Sequence, residues 1–211
     1  MTKALLEVQY LPPLEFFCAL LSFDEILLEK HEHFVKQTYR NRCRINTAQG
    51  VLTLTVPLVH GNKATIAETQ IDYTQKWQNQ HWRSIESAYR NAPFFEFYSE
   101  ELKVILYRVH ASLFELNREL LSFCLRSIDL EILISETVTY QKEPPQNVFD
   151  LRSSIHPKKQ HSGQPFYQAI PYYQVFGAAF AENLSLIDLL FCMGPKSREI
   201  LRASVQNQVN K

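Results

Sequence analysis

Residues 4–29 read ALLEVQYLPPLEFFCALLSFDEILLE, and the apolar spacing in this stretch predicts a strand, a polar turn, a short helix and a second strand. ALLEV ends at Gln9-Tyr10, the length of a buried strand rather than of a helix. Pro12-Pro13 then opens a helical stretch to about residue 23, because proline fits a first turn, where its missing N–H would be unpaired anyway. EILLE, residues 25–29, is the second strand. Two strands joined by a crossover helix lie parallel. The opening therefore predicts an α/β fold built on a small, mostly parallel sheet.

Beyond residue 43 the pattern changes. CRINT, a turn at AQG and VLTLTVPLV predict an added β-hairpin with one buried face, since Leu52, Leu54 and Val56 alternate with Thr53 and Thr55. Pro57 puts the second strand at an edge or ends it there. Between residues 75 and 126 the period becomes helical: Trp82, Ile85, Ala88 and Tyr89 share a side before Pro93. Apolar positions from Leu102 to Phe123, spaced by three and four, predict one long central helix from about residue 97, about 40 Å in length. Residues 142–171 predict a long ordered loop. NLSLIDLLFCMGP predicts a helix capped by Asn183 and ended at Gly194-Pro195. All 211 residues read as a single domain.

The 22 lysines and arginines balance 22 aspartates and glutamates, so no global field draws in nucleic acid, and charge-driven recognition is local. Cys18, Cys124 and Cys192 lie in apolar runs and, with Cys43, are widely spaced, as buried thiols of a reduced cytoplasmic protein would be. No stretch approaches the 18 or so apolar residues of a membrane span, and the polar Glu7 and Gln9 interrupt any secretory core. Phosphate-cradle, zinc-protease and nucleophile-elbow motifs are missing.

Four stretches match one pattern: QYLPPLEFF (9–17), KQTYRNRCRI with LTLTVPL (36–58), WQNQHWRSIESAYRNAPFFEFY (77–98), and DLRSSIHPKK with PYYQVF and ENLSLIDLLFCMGP (150–195). Over nearly its whole length the chain resembles the WbqC-like family, in its short bacterial branch. The resemblance implies a part in making surface polysaccharide, including O-antigen, by group transfer on a sugar nucleotide or other activated sugar. Longer members carry histidine where this chain has Val8, and an acidic pair where it has the EKHEH segment. The opening also resembles nucleotidyltransferases of the HIGH superfamily, which implies a Rossmann-like topology.

The candidate chemistry starts with Lys36, Arg40, Arg42 and Arg44, which crowd ten positions without an acid. In an extended chain the three arginines share one face, and Tyr39, Asn41 and Cys43 the other. Guanidinium forks suit a phosphate or carboxylate; the plainer alternative is a solvated face paired with Glu25, Glu29 or Glu32. A second patch, His156, Lys158, Lys159 and His161, sits in the long loop, either closing over the first or lying as a mobile solvated loop. Gln9 and Tyr10 stand at the end of the first strand, where open parallel sheets place ligands. The expected substrate-binding set is Gln9, Tyr10, Lys36, Tyr39, Asn41, Arg42, His156 and Lys158, for a phosphorylated or nucleotide-linked sugar. Glu29 is the candidate general base and His81 a candidate proton carrier, with a buried helix plug as the alternative for His81. Glu29, His31 and His33 alternate, but their spacing alone assigns no metal, and the sequence leaves any cofactor open. Cys43 between two arginines would favour a thiolate, but a packed strand thiol is the preferred reading. Asp188 is expected to bond a neighbouring backbone group or arginine. The long helix would also serve a homodimer seam. The rival to an enzyme is a noncatalytic binding or assembly protein that docks an acidic partner or glycan.

Overall fold

In the computed structural model, which describes residues 1–59, 64–158, 166–177 and 179–206, the opening folds as its pattern predicts. Strand β1 (Lys3–Glu7) leads through helix α1 (Leu14–Leu20) to β2 (Glu25–Glu29), and the strands pair parallel from Lys3↔Glu25 to Glu7↔Glu29. Two further parallel strands follow much later, β5 (Leu133–Glu136) beside β2 and β6 (Val148–Asp150) beside β1, giving the order β5-β2-β1-β6. The fold is mixed α/β with a parallel sheet, compatible with a Rossmann-like arrangement. The central strands are apolar and buried, whereas the edge strands are short and more exposed, as expected where only one neighbour supplies a ladder.

Antiparallel β3 (Arg42–Thr47) and β4 (Gly50–Thr55) form the predicted hairpin. Cys43, Ile45, Leu54 and Val56 bury one face, although Leu52, near the turn, stays half exposed. Helices α2 (Trp77–Tyr89), α3 (Phe95–Tyr107) and α4 (Leu113–Ser127) precede β5, while α5 (Leu186–Met193) and α6 (Ser197–Ala203) close the chain around a 3-10 turn at Gly194–Lys196. Buried apolar side chains from Ala4 to Leu201 form one continuous cluster.

Two elements depart from the sequence pattern. The long central helix is two helices, because a local cap interrupts the apolar period: Ser112 Oγ accepts from the Glu115 N–H and Glu115 Oε2 accepts from the Ala111 N–H, at 3.3 and 3.1 Å. This reciprocal Ser-x-x-Glu cap starts a new helix. Asn183 does not cap α5, whose preceding residue is Ser185. It reaches across to α1 instead, where its Oδ1 accepts from the Glu15 N–H at 2.9 Å and its Nδ2 donates to Glu15 Oε2. The start of α1 was thus left without a local cap and is completed from the far end of the chain.

At the end of α5, Gly194 has φ 53° and ψ −125°, a backbone region open essentially to glycine. A Cβ there would lie 2.4–2.7 Å from the Phe94 ring. Gly194→Ala therefore combines backbone strain with overpacking, and the expected loss is at least about 2 kcal/mol, read as a lowered denaturant midpoint with an unchanged slope.

Candidate functional site

Each parallel strand ends on an acid: Glu7, Glu29, Glu136 and Asp150. Numbered along the chain, the parallel strands run 3-2-1-4, so the order reverses between β1 and β6. In open α/β sheets the crevice outside the carboxyl ends at such a reversal is where ligands bind. Here two arginines enter that crevice. Arg40 grips Glu32 in a two-pronged pair, Nε to Oε1 and Nη2 to Oε2, each 2.7 Å, and its Nη1 lies 3.8 Å from Glu7 Oε1. Arg152 binds Asp150 through Nε and Nη2 and reaches Glu29 Oε2 through Nη1 at 3.1 Å. Glu7 also accepts from Gln9 Nε2 at 2.9 Å and from the Ser153 N–H at 2.8 Å. Glu29 accepts from the His31 N–H and from Thr137 Oγ1.

Arg40, Glu7, Glu29 and Glu32 are all buried, and a buried charge is tolerated only when paired and hydrogen-bonded. Burial holds the Glu32 carboxyl above its ordinary range, with the Arg40 pair pulling the other way. The switch-point crevice is therefore filled by the protein's own ionic network. It fastens the ends of β1, β2 and β6 to the residues that follow them.

The neighbouring hairpin is arranged differently. Strand alternation sends Cys43 and Ile45 into the core and Arg42 and Arg44 to the other face, opposite Thr55 and Thr53 in register. Both arginines are half-buried. Among the described residues neither makes an ion pair or side-chain hydrogen bond, and Arg42 Nε and Arg44 Nη1 are shut off from solvent without a partner. Each such orphaned donor costs about 1–3 kcal/mol. Asn46, next on this face, donates to the Phe176 carbonyl at 2.6 Å. Arg40, two residues before Arg42, donates to Ser153 Oγ at 3.3 Å. The Arg42–Arg44 face is flanked by these two loop contacts. A separate cleft of about 470 Å³ lies at the hairpin turn, against Arg83, Ser84 and Ser87 of α2.

A model of the WbqC-like protein family matches residues 8–165, the span that holds the hairpin arginines and most of the ionic network. The chain belongs to the WbqC-like family. It is similar to a protein of Mycobacterium tuberculosis (strain ATCC 25618 / H37Rv) named "Uncharacterized protein Rv1507c", with 26% identity over 224 residues that cover 94% of this chain and 96% of that protein. No solved structure matches it.

Of the residues expected at the site of this WbqC-like chain, Gln9 and Glu29 meet in the ionic network and Arg42 stands beside it on the hairpin. Glu29 is fully buried and both its oxygens are engaged. That makes it a fastening for the end of β2, not a base open to a sugar hydroxyl. Asn41 Nδ2 donates to the Val56 carbonyl; Tyr39 is buried; Lys36 and Lys158 are exposed, and His156 Nδ1 accepts from the Lys158 N–H at 3.1 Å. Lys159 and His161 lie outside the described residues.

Three expectations are corrected. Arg40 separates from Arg42 and Arg44, because it precedes the strand and turns into the acids. Cys43 faces the core as the preferred packed thiol, where burial pushes its pKa well up, and it is the thiolate alternative that falls. His81 and Tyr10 leave the site altogether: the Tyr10 hydroxyl and His81 Nδ1 are 2.8 Å apart, and Nε2 meets the Thr55 carbonyl at 3.2 Å. A carbonyl only accepts, so Nε2 carries the hydrogen and Nδ1 accepts from Tyr10. This neutral, enclosed ring locks α2 to the hairpin and to the end of β1 and is no proton carrier. The sequence reading missed Glu7, Arg152 and Ser153, and it misassigned the partners of Asp188. Asp188 is buried and accepts from Tyr89, Tyr172 and Gln174 at 2.8, 2.6 and 3.0 Å, which anchors the segment leading to Phe176.

Two stability measurements follow. Arg40→Ala leaves Glu32 and Glu7 buried without their cation and is expected to cost about 3–5 kcal/mol, against a small effect for Arg42→Ala, in parallel denaturant titrations. Burial holds the pKa of His81 down at about 4, with the Thr55 hydrogen bond acting in the opposite sense. Its stabilising contribution is thus fully present above the ordinary value of about 6.5 and declines as pH falls toward 4, by up to about 3 kcal/mol. His81→Gln should flatten the stability profile across that window.

Proposed function

We propose that this WbqC-like protein is an enzyme of surface-polysaccharide biosynthesis, O-antigen included, that transfers a group to or from a sugar nucleotide or other activated sugar. One observation carries the reading. Among the described residues Arg42 and Arg44 share one hairpin face without an acid partner, two positions on from Arg40, which like Arg152 is neutralised by carboxylates at the carboxyl end of the sheet. Unpaired forks on one face favour a phosphorylated ligand over a neutral glycan. Lys36 and Lys158 are exposed and would add charge around the bound anion, whereas Gln9 and Asn41 already donate to Glu7 and to the Val56 carbonyl.

The rival, a noncatalytic protein that docks an acidic partner, draws support from the closed ionic network, which leaves no reactive carboxylate open in the switch-point crevice. Thermal-shift screening against sugar nucleotides, free nucleotides and acyl donors separates the two. The expected result is stabilisation by several kelvin with a sugar nucleotide. Calorimetry should then show binding weakened roughly 10- to 100-fold in Arg42→Ala and in Arg44→Ala. Unchanged affinity in both variants would remove the anion site and the enzymatic reading with it.

A further inference from the structure

We infer that the cleft between the hairpin turn and α2 is a binding site for a short-chain aliphatic monocarboxylate, with its chain on Leu52 and Phe176 and its carboxylate on Arg83. Strand alternation puts Leu52 on the core face of β4 with Leu54 and Val56, yet Leu54 and Val56 are 5% and 0% exposed and Leu52 is 39%. The reason lies across from it. Helix α2 lines the facing wall with Ser84, Ser87 and Ala88, and side chains that short leave a cleft of about 470 Å³ where longer ones would cover Leu52. That volume lies within the range of about 300–1,000 Å³ in which proteins hold small ligands. Phe176 forms another part of the wall, fastened by the Asn46 side chain, which donates to its carbonyl at 2.6 Å.

The lining selects the ligand by what it holds and what it lacks. Leu52, Ala88 and Phe176 offer apolar surface that takes an aliphatic chain out of water. Among the described residues Arg83 is the one charged side chain of the lining, and it is exposed and makes no ion pair or side-chain hydrogen bond. A single planar fork matches a single carboxylate, two N–H groups to two oxygens, whereas one cation leaves a phosphate dianion half neutralised. The Ser87 hydroxyl also bonds to no other described group and is a further donor, while Ser84 Oγ already donates to the Gln80 carbonyl at 2.9 Å. Among the described residues no Asp or Glu lines the cleft, so the hydroxyl groups of a neutral sugar would meet no charged acceptor. Leu52 lies on the opposite face of the hairpin from Arg42 and Arg44, which stand across from Thr55 and Thr53. The cleft is therefore separate from the proposed anion site, and either can fail without the other.

An NMR amide-shift titration of the intact protein with acetate, butyrate, hexanoate and the uncharged hexanol, at fixed ionic strength, tests the site. Shifts are expected to centre on residues 47–52, 83–88 and 176. Affinity should rise about three- to fourfold for each added methylene, and hexanoate should bind about tenfold more tightly than hexanol. Arg83→Gln should remove the advantage of hexanoate over hexanol. Ser87→Leu, which fills the cleft from an exposed position on α2, should remove the dependence on chain length. Both variants should keep the circular dichroism of the wild type. Affinity that fails to rise from acetate to hexanoate would overturn the assignment. So would hexanol binding as tightly as hexanoate, hexanoate binding indifferent to Arg83→Gln, or shifts centred on other residues.

Discussion

A guanidinium buried between two carboxylates, Arg40 against Glu32 and Glu7, is the contact on which the carboxyl end of the sheet depends. Glu7 and Glu29 are register partners at the ends of β1 and β2, so parallel pairing forces two buried acids side by side. Like charges at that spacing repel, and the interior screens them poorly. Arg40 and Arg152 relieve the conflict and, in doing so, bring in the chain segments that carry them. Arg40 fixes the approach to β3, where the Asn117 side chain also holds its carbonyl at 2.7 Å. Arg152 and Ser153 fix the segment after β6. An apolar substitute could be as stable. It would not specify which segments meet, since apolar contacts lack direction whereas the forked pairs admit one geometry.

The second constraint runs through the core. Tyr10, His81 and the Thr55 carbonyl form a chain of hydrogen bonds from the end of β1 through α2 to the last residue of β4. Tyr89, on the same helix, donates to Asp188 and accepts from the Asn46 N–H at 3.1 Å. Helix α2 is therefore pinned to both ends of the hairpin through its buried face, and the position of Arg42 and Arg44 on the opposite face follows. Asp188 shows the same economy of parts: one buried carboxylate, raised by burial above its ordinary range with its three donors acting the other way, holds together α2, α5 and the segment before Phe176.

Much of this frame was legible in the sequence where the signal is local. Continuous apolar runs marked β1 and β2, and two-residue alternation marked the hairpin. Strands β5 and β6 were not legible, being four and three residues long and half exposed, too short to establish a period and dependent on β2 and β1 for pairing. The split between α3 and α4 was written locally as Ser112-x-x-Glu115, but the apolar spacing of three and four continues across it and masks the cap. At the site, the basic run was visible and its division was not. Arg40 pairs with Glu7 across 33 positions and Arg152 with Glu29 across 123, and no window on the sequence reveals which arginine meets which acid.

The division itself has a physical origin in where β3 begins. Arg42 is its first residue. Before it the chain is not bound to the alternation of a ladder, so Arg40 is free to turn toward Glu32, eight residues away. From Arg42 onward the register with Thr55 and Thr53 dictates orientation, and the side chains project from the hairpin whether or not an acid waits there. A ladder can therefore hold cations in place unneutralised, because its backbone bonds, rather than a counter-ion, fix their direction. Preorganised donors of this kind lose little freedom when they bind. The same guanidinium chemistry, two residues apart, thus serves as a fastening on one side of the strand boundary and, among the described residues, stands without a counter-ion on the other.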